Sequence, residues 1–267
     1  MQVSWIDVQG RELRPPRIAL EINSGNDAVV TWDNERILAA EEQVGSWDRY
    51  TGAAVDPELF EAADADAGTA MHPDGRLAAL SERDLIEIID LTTGDLVARI
   101  DHDDALAESL PLFPIVFSPD GRWLAAATSS GRVVVWDTQS WKQYRTWPAV
   151  PGFGINSMTF TPEADFLVTG GAGTAAIWNV QQGLSGGVRL EVDPGRPDAN
   201  VLVGVQDGGR TLVTYTEGTG VREWDVSPAG LLEHACMVAG RNFTRDEWND
   251  VLPDRPYERT CPQYPAG

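Results

Sequence analysis

Val133-Val134-Val135-Trp136-Asp137 is a short apolar run closed by a Trp-Asp pair, and the pair keeps returning along the chain. It recurs as Trp47-Asp48 and Trp224-Asp225, and in weakened form as Trp178-Asn179, Ile89-Asp90 and Ile6-Asp7. From Asp7 through Asp48, Asp90, Asp137, Asn179 to Asp225 the intervals are 41, 42, 47, 42 and 46 residues. Self-similarity at such a period marks a repeat architecture.

A turn precedes each pair at a nearly fixed distance. The turns are His72-Pro73-Asp74-Gly75, Ser118-Pro119-Asp120-Gly121, Thr161-Pro162-Glu163 and Gln206-Asp207-Gly208-Gly209. From Pro73 to Ile89, Pro119 to Trp136, Pro162 to Trp178 and Asp207 to Trp224 the distances are 16, 17, 16 and 17 residues. Runs with strand character flank each turn, for example Ile115-Val116-Phe117 and Trp123-Leu124-Ala125-Ala126, and the pair of runs predicts a hairpin. A third strand follows at 131–136 or 173–178, and a fourth at 96–100, 143–147 and 188–192. Four antiparallel strands per repeat describe an all-β chain of β-propeller blades.

On these motifs, residues 1 to about 226 resemble the WD-repeat β-propellers. The resemblance implies that the third strand of each blade ends at the Asp and that the Trp packs between blades. Trp47, Asp48, Trp136, Asp137, Trp178, Trp224 and Asp225 are then framework residues. The Gly-His dipeptide with which that family helps to hydrogen-bond the Asp is absent. The three histidines are His72 in a turn, His102 in an acidic loop and His234 near the end, so some of the aspartates are expected to cap turns instead.

The count is five blade repeats plus part of a sixth. Residues 3–12 read as a third strand with its exit turn and 17–22 as the fourth strand of that blade. Two closures are conceivable: residues 17–22 pair with 221–226 in a tight five-bladed ring, or with 3–8 in an open arc. The open arc is the favoured reading, with the chain as the C-terminal part of a six- or seven-bladed propeller begun upstream or on another chain.

The expected domains are propeller repeats over 1–229 and a helical tail over 230–267 packed on them. Residues 231–239 have helical spacing ending at Gly240. Thr244 with Glu247 forms a capping box for a second helix that contains Trp248 and runs to about Val251. The string from Ala235-Cys236 through Arg241-Asn242-Phe243-Thr244 and Glu247-Trp248 to Thr260-Cys261-Pro262 resembles the ending of many bacterial WD-repeat proteins. In those, the propeller forms the C-terminal sensing or scaffolding half of a signalling (STAND-type) ATPase or protease-associated protein.

Cys236 and Cys261 lie in the last 32 residues. A disulfide would close a loop of about 25 residues and contribute roughly 3 kcal/mol, whereas a reducing cytoplasm would leave two thiols. A zinc site of His234, Cys236 and Cys261 lacks a fourth ligand. No metal and no cofactor is expected.

The net charge of −21, from 41 acidic against 20 basic residues, argues against nucleic acid and anionic membranes as partners, because both are held by clustered Lys and Arg. No window approaches the roughly 18 apolar residues of a spanning helix and no signal peptide opens the chain. A soluble cytoplasmic protein is expected.

Candidate chemistry fails on context. Gly171-Ala172-Gly173-Thr174-Ala175-Ala176 fits a nucleotide fingerprint, but a strand follows where a helix N-terminus is needed. Gly183-Leu184-Ser185-Gly186-Gly187 fits a nucleophile elbow, yet it falls between strands three and four. Asp101-His102-Asp103-Asp104 has Leu106 where a calcium loop needs Gly. Asn242-Phe243-Thr244 is a formal glycosylation sequon, better explained by Thr244 as a helix cap.

Loops remain. Those joining strand four to the next strand one, and strand two to three, gather on one face and include residues 61–68, 81–84, 101–113, 150–156, 193–200 and 217–219. Asp64, Asp66, Asp101, Asp103 and Asp104 give an acidic rim, with Phe113 and Phe153 as apolar anchors, a pattern suited to docking a protein with a basic surface. Acid that merely keeps the domain in solution is the competing explanation. The expected function is a non-enzymatic protein-interaction scaffold or sensor; the rival is an enzyme or small-ligand binder using the central channel.

Overall fold

The computed structural model describes residues 2–3, 18–19, 28–30, 36–40, 43–48, 53–61, 68–81, 85–101, 114–128, 130–149, 154–181 and 188–267. Strands β1 (Gln2–Val3) and β2 (Ile18–Ala19) form an antiparallel pair, the pairing that the open-arc reading expects of residues 17–22. Ile6 and Asp7 lie outside the described residues. Next come β3 (Ala28–Val30), β4 (Arg36–Ala40), β5 (Gln43–Asp48) and β6 (Ala54–Glu61), then β7 (Gly68–Met71), β8 (Leu77–Ser81), β9 (Leu85–Asp90) and β10 (Leu96–Asp101). A third set is β11 (Ile115–Phe117), β12 (Trp123–Ala127), β13 (Arg132–Asp137) and β14 (Lys142–Pro148), and a fourth is β15 (Ser157–Phe160), β16 (Phe166–Gly171), β17 (Thr174–Asn179) and β18 (Val188–Glu191). Each set is one antiparallel sheet in chain order; β19 (Leu202–Gln206), β20 (Thr211–Thr216) and β21 (Gly220–Asp225) make a three-stranded sheet. Four-stranded antiparallel sheets in chain order, four of them here beside the three-stranded sheet and the β1–β2 pair, are typical of WD-repeat propeller blades.

The Trp-Asp period has a register behind it. In four repeats the Asp or Asn faces the first residue of the second strand: Arg36 opposite Asp48, Leu77 opposite Asp90, Trp123 opposite Asp137 and Phe166 opposite Asn179. The residue after it then donates its backbone N–H to the hairpin turn. Leu91 bonds Arg76 O at 2.8 Å, Thr138 bonds Arg122 O at 3.0 Å, Val180 bonds Asp165 O at 3.0 Å and Val226 bonds Arg210 O at 2.8 Å.

The chain divides into two compact units, residues 1–204 with 214–222 and residues 205–213 with 223–267. In the first, the leading strands β3, β7, β11 and β15 lie side by side, so neighbouring sheets stack face to face. Leu124, Ala126, Val134 and Trp136 pack toward the β7–β10 sheet with Ile86 and Ile88. Trp123, Ala125, Val133 and Val135 pack toward the β15–β18 sheet with Leu167 and Trp178. Both faces of β12 and β13 are therefore covered, and their sequences read as near-continuous apolar runs instead of the in-out alternation of a half-exposed antiparallel sheet.

In the second unit, α1 (Pro228–Ala239) begins three residues before Leu231, where the spacing predicted it. Ser227 caps it, its Oγ accepting from Gly230 N at 3.2 Å, and Pro228 is tolerated in the first turn because no intrahelical bond needs its missing N–H. Gly240 ends the helix in the left-handed conformation. Helix α2 (Arg245–Val251) carries the capping box: Thr244 Oγ1 accepts from Glu247 N and Glu247 accepts from Thr244 N. Among the described residues no helix is long and apolar enough to cross a membrane.

Candidate functional site

The repeated residues serve the frame. Trp136 and Trp178 are buried in successive inter-sheet clusters, while Trp47 and Asp48 close β5. Trp224, at the end of β21, meets His234 of α1 edge to face at 6.0 Å. The aspartates cap turns, each accepting the backbone N–H two residues on: Asp90 from Thr92 at 2.9 Å, Asp137 from Gln139 at 3.1 Å and Asp225 from Ser227 at 2.9 Å. Asp90 also takes Arg76 Nε at 2.7 Å, and this guanidinium, with Thr92, holds its carboxyl at about 2. Ser140 lowers the Asp137 carboxyl and Ser227 that of Asp225. Asp74 and Asp120 cap the hairpin turns in the same way, accepting from Arg76 N and Arg122 N.

Of the loop face expected to dock partners, Asp64, Asp66, Asp103, Asp104, Phe113 and Phe153 lie outside the described residues, and Asp101 is placed as the last residue of β10. Residues 183–187 lie outside them too. Two predicted loops of that face are described and converge: residues 193–200, between β18 and β19, and residues 217–219, between β20 and β21.

The first of these loops is clamped to the β16–β17 hairpin. Ala172 and Gly173 both have positive φ, 52° and 67°, the requirement of a two-residue type I′ turn. The glycines of the nucleotide-like motif therefore build a hairpin. Gly173 N donates to Ala199 O, and its own carbonyl accepts from Val192 N and Asp193 N, all at 2.9 Å. A Cβ at residue 173 would stand 2.7 Å from Arg196 O, so the close approach needs glycine.

Asp193 organises the interior of the loop. Its carboxylate is buried, accepts from Thr216 Oγ1 at 3.4 Å and pairs with Arg196 Nε at 3.5 Å. Thr216 Oγ1 also accepts from Thr219 N at 3.0 Å, tying the second loop to the same carboxylate. Gly218 closes over it; a Cβ there would lie 2.6 Å from Asp193 Oδ2. Arg222 Nη1 donates to Val192 O at 3.1 Å.

Over this base lies a cleft of about 410 Å³, lined by Arg196, Asp198, Ala199, Asn200, Leu202, Tyr215 and Glu217. Leu202 lies on β19 and Tyr215 on β20. Strand alternation held the signal: Leu212, Thr214 and Thr216 point inward and are buried, which sends Tyr215 outward.

The zinc reading of His234, Cys236 and Cys261 does not survive, since the two sulfurs are joined in a disulfide with Cα atoms 5.5 Å apart. That bond also replaces the alternative of two free thiols. Among the described residues no group of three or more His, Cys, Asp or Glu side chains is arranged to hold a metal. Asn242 is buried, with Nδ2 directed at the carbonyls of Cys261, Tyr264 and Pro265 and Oδ1 accepting from Cys261 N at 2.8 Å. It binds the tail to the helices, a role that leaves no room for a glycan.

Residues 115–137 and 141–179 match the family model described as WD domain, G-beta repeat. The matched segments run from β11 to the end of β13 and from just before β14 to the end of β17. No curated protein matches the chain. The match supports the WD-repeat family.

Proposed function

We propose that the chain is a non-enzymatic protein-interaction module that recruits partners with basic surfaces through its loop face. WD repeats generally mediate protein-protein contact. One observation carries the reading: two loops of the face converge on a single buried carboxylate, Asp193, and are held there by Thr216, Arg196 and the β16–β17 hairpin. Loops fixed in advance bind with less ordering cost than mobile ones. The surplus of acid in a chain of net charge −21 favours encounter with positively charged partners. The tail resemblance suggests the setting, the scaffold or sensor part of a bacterial signalling protein.

The test replaces Asp101, Asp103 and Asp104 with Lys and compares partner recovery at low salt. Loss of the partners captured by the parent chain is expected, and unchanged recovery overturns acidic steering.

A further inference from the structure

Within the loop face, the cleft beside Asp193 has a composition that selects an occupant. Among the described residues Arg196 is the only basic side chain lining it, and its guanidinium is turned to the buried Asp193. Asp198 and Glu217 make no ion pair and no side-chain hydrogen bond among the described residues. Among the described residues the cleft therefore keeps two carboxylates without a counter-charge. Between them stand two apolar groups: Tyr215 is 43% exposed and Leu202 51% exposed, on neighbouring strands of one sheet.

We infer that this cleft receives an arginine or lysine side chain presented by a partner polypeptide, an assignment that rests on the docking function proposed above. A cation over an aromatic face is attracted by the ring quadrupole, and the aliphatic stem of Arg or Lys packs on an apolar wall while its head stays polar. Tyr215 and Leu202 supply ring and wall; Asp198 and Glu217 supply the counter-charge. The floor is rigid because Asp193, Thr216, Gly218 and Gly173 lock the loops beneath it. A volume of about 410 Å³ lies within the roughly 300–1,000 Å³ range of small binding pockets and takes one long side chain with its flanking backbone. A peptide is favoured over a free polyamine because the apolar wall is used only by a ligand with apolar neighbours beside its charge.

Four fluorescent peptides test this on the full chain: acetyl-Gly-Leu-X-Leu-Gly-amide with X as Arg, Lys, citrulline or Glu, titrated by anisotropy, with NMR of the Tyr215 ring. The Arg and Lys peptides are expected to saturate and shift the Tyr215 resonances, and citrulline, which keeps the shape without the charge, to bind about tenfold more weakly. Tyr215→Ala, and Asp198→Asn with Glu217→Gln, should each weaken the Arg peptide about tenfold with unchanged melting temperature, since all three side chains are exposed. Equal binding of the citrulline peptide, indifference to both variants, or binding of spermidine without the Arg peptide overturns the assignment. Partner recovery that depends on Asp101, Asp103 and Asp104 but is untouched by Tyr215→Ala overturns the cleft and leaves the docking function standing.

Discussion

Trp178 Nε1 donates to Thr169 Oγ1 across 2.9 Å, and both side chains are buried between two sheets. Thr169→Val keeps the volume and removes the acceptor, leaving an indole N–H unpaired. It should cost about 1–3 kcal/mol in denaturant unfolding. Trp147, whose ring lies 6.1 Å from that of Trp178, already has a buried Nε1 with no partner among the described residues. Trp147→Phe should therefore cost less than Trp178→Phe, and equal costs would deny the Thr169 bond its role.

Gly121 is fixed twice over. Its φ is +73°, and a Cβ would stand 2.4 Å from His72 Nε2, which lies 3.0 Å from the Gly121 carbonyl. Gly121→Ala should lose about 1–2 kcal/mol from the left-handed backbone and more from displacing His72. Adding His72→Ala should recover only the second part, as a double-mutant cycle followed by thermal melting will reveal.

Acid should weaken the β7–β10 sheet through Asp90. Its carboxyl is held at about 2 by Arg76 and then Thr92, against an ordinary value of 3.8. A carboxyl depressed in the folded state stabilises it above the unfolded pKa and loses that contribution as pH falls through the folded value. Asp90→Asn should thus be less stable than the parent at pH 6, with the gap closing between about pH 4 and 2. A gap constant across that range would show that the Asp90 charge is not what matters. Glu247, also held at about 2, by Arg241 and then Thr244 N, should behave likewise in the second unit.

Reduction should loosen the C-terminal unit. The Cys236–Cys261 bond closes a separation of 25 residues, worth roughly 3 kcal/mol in the chain-entropy description. Dithiothreitol, or Cys236→Ser with Cys261→Ser, should raise amide exchange in α1 and α2. Protection unchanged in both conditions would assign their stability to Asn242 and Trp248 alone.

What could be read from the residues was whatever is decided within a few positions. The Pro-Asp-Gly turns, the strand beside Trp136, the left-handed stop at Gly240 and the Thr244 box all follow from local hydrogen bonding and backbone sterics, and each stands where its motif stands. Helix α1 starts three residues ahead of the apolar spacing at 231–239 because Pro228 is compatible with a first turn and the Ser227 cap sets the start. The pairing of Cys236 with Cys261 was undecidable because spacing in sequence does not give a distance. The cleft escaped because Tyr215 and Leu202 carry the same apolar signal as the core; alternation along β20 marks Tyr215 as outward, but that Leu202 and the 193–200 loop stand beside it is decided by tertiary packing.

The four bonds that run from Leu91, Thr138, Val180 and Val226 back to their hairpin turns explain how loosely the repeat can be spelled. The donor in each is a main-chain amide, so the fastening is indifferent to the side chain that carries it. Leu, Thr and Val all serve, and the neighbouring Trp-Asp has worn down to Ile-Asp in one copy and Trp-Asn in another without undoing the clasp. Proline, which has no amide hydrogen, is the residue these positions forbid. Copies of the repeat are therefore free to diverge in nearly every letter while the distance between clasp and turn stays within one residue.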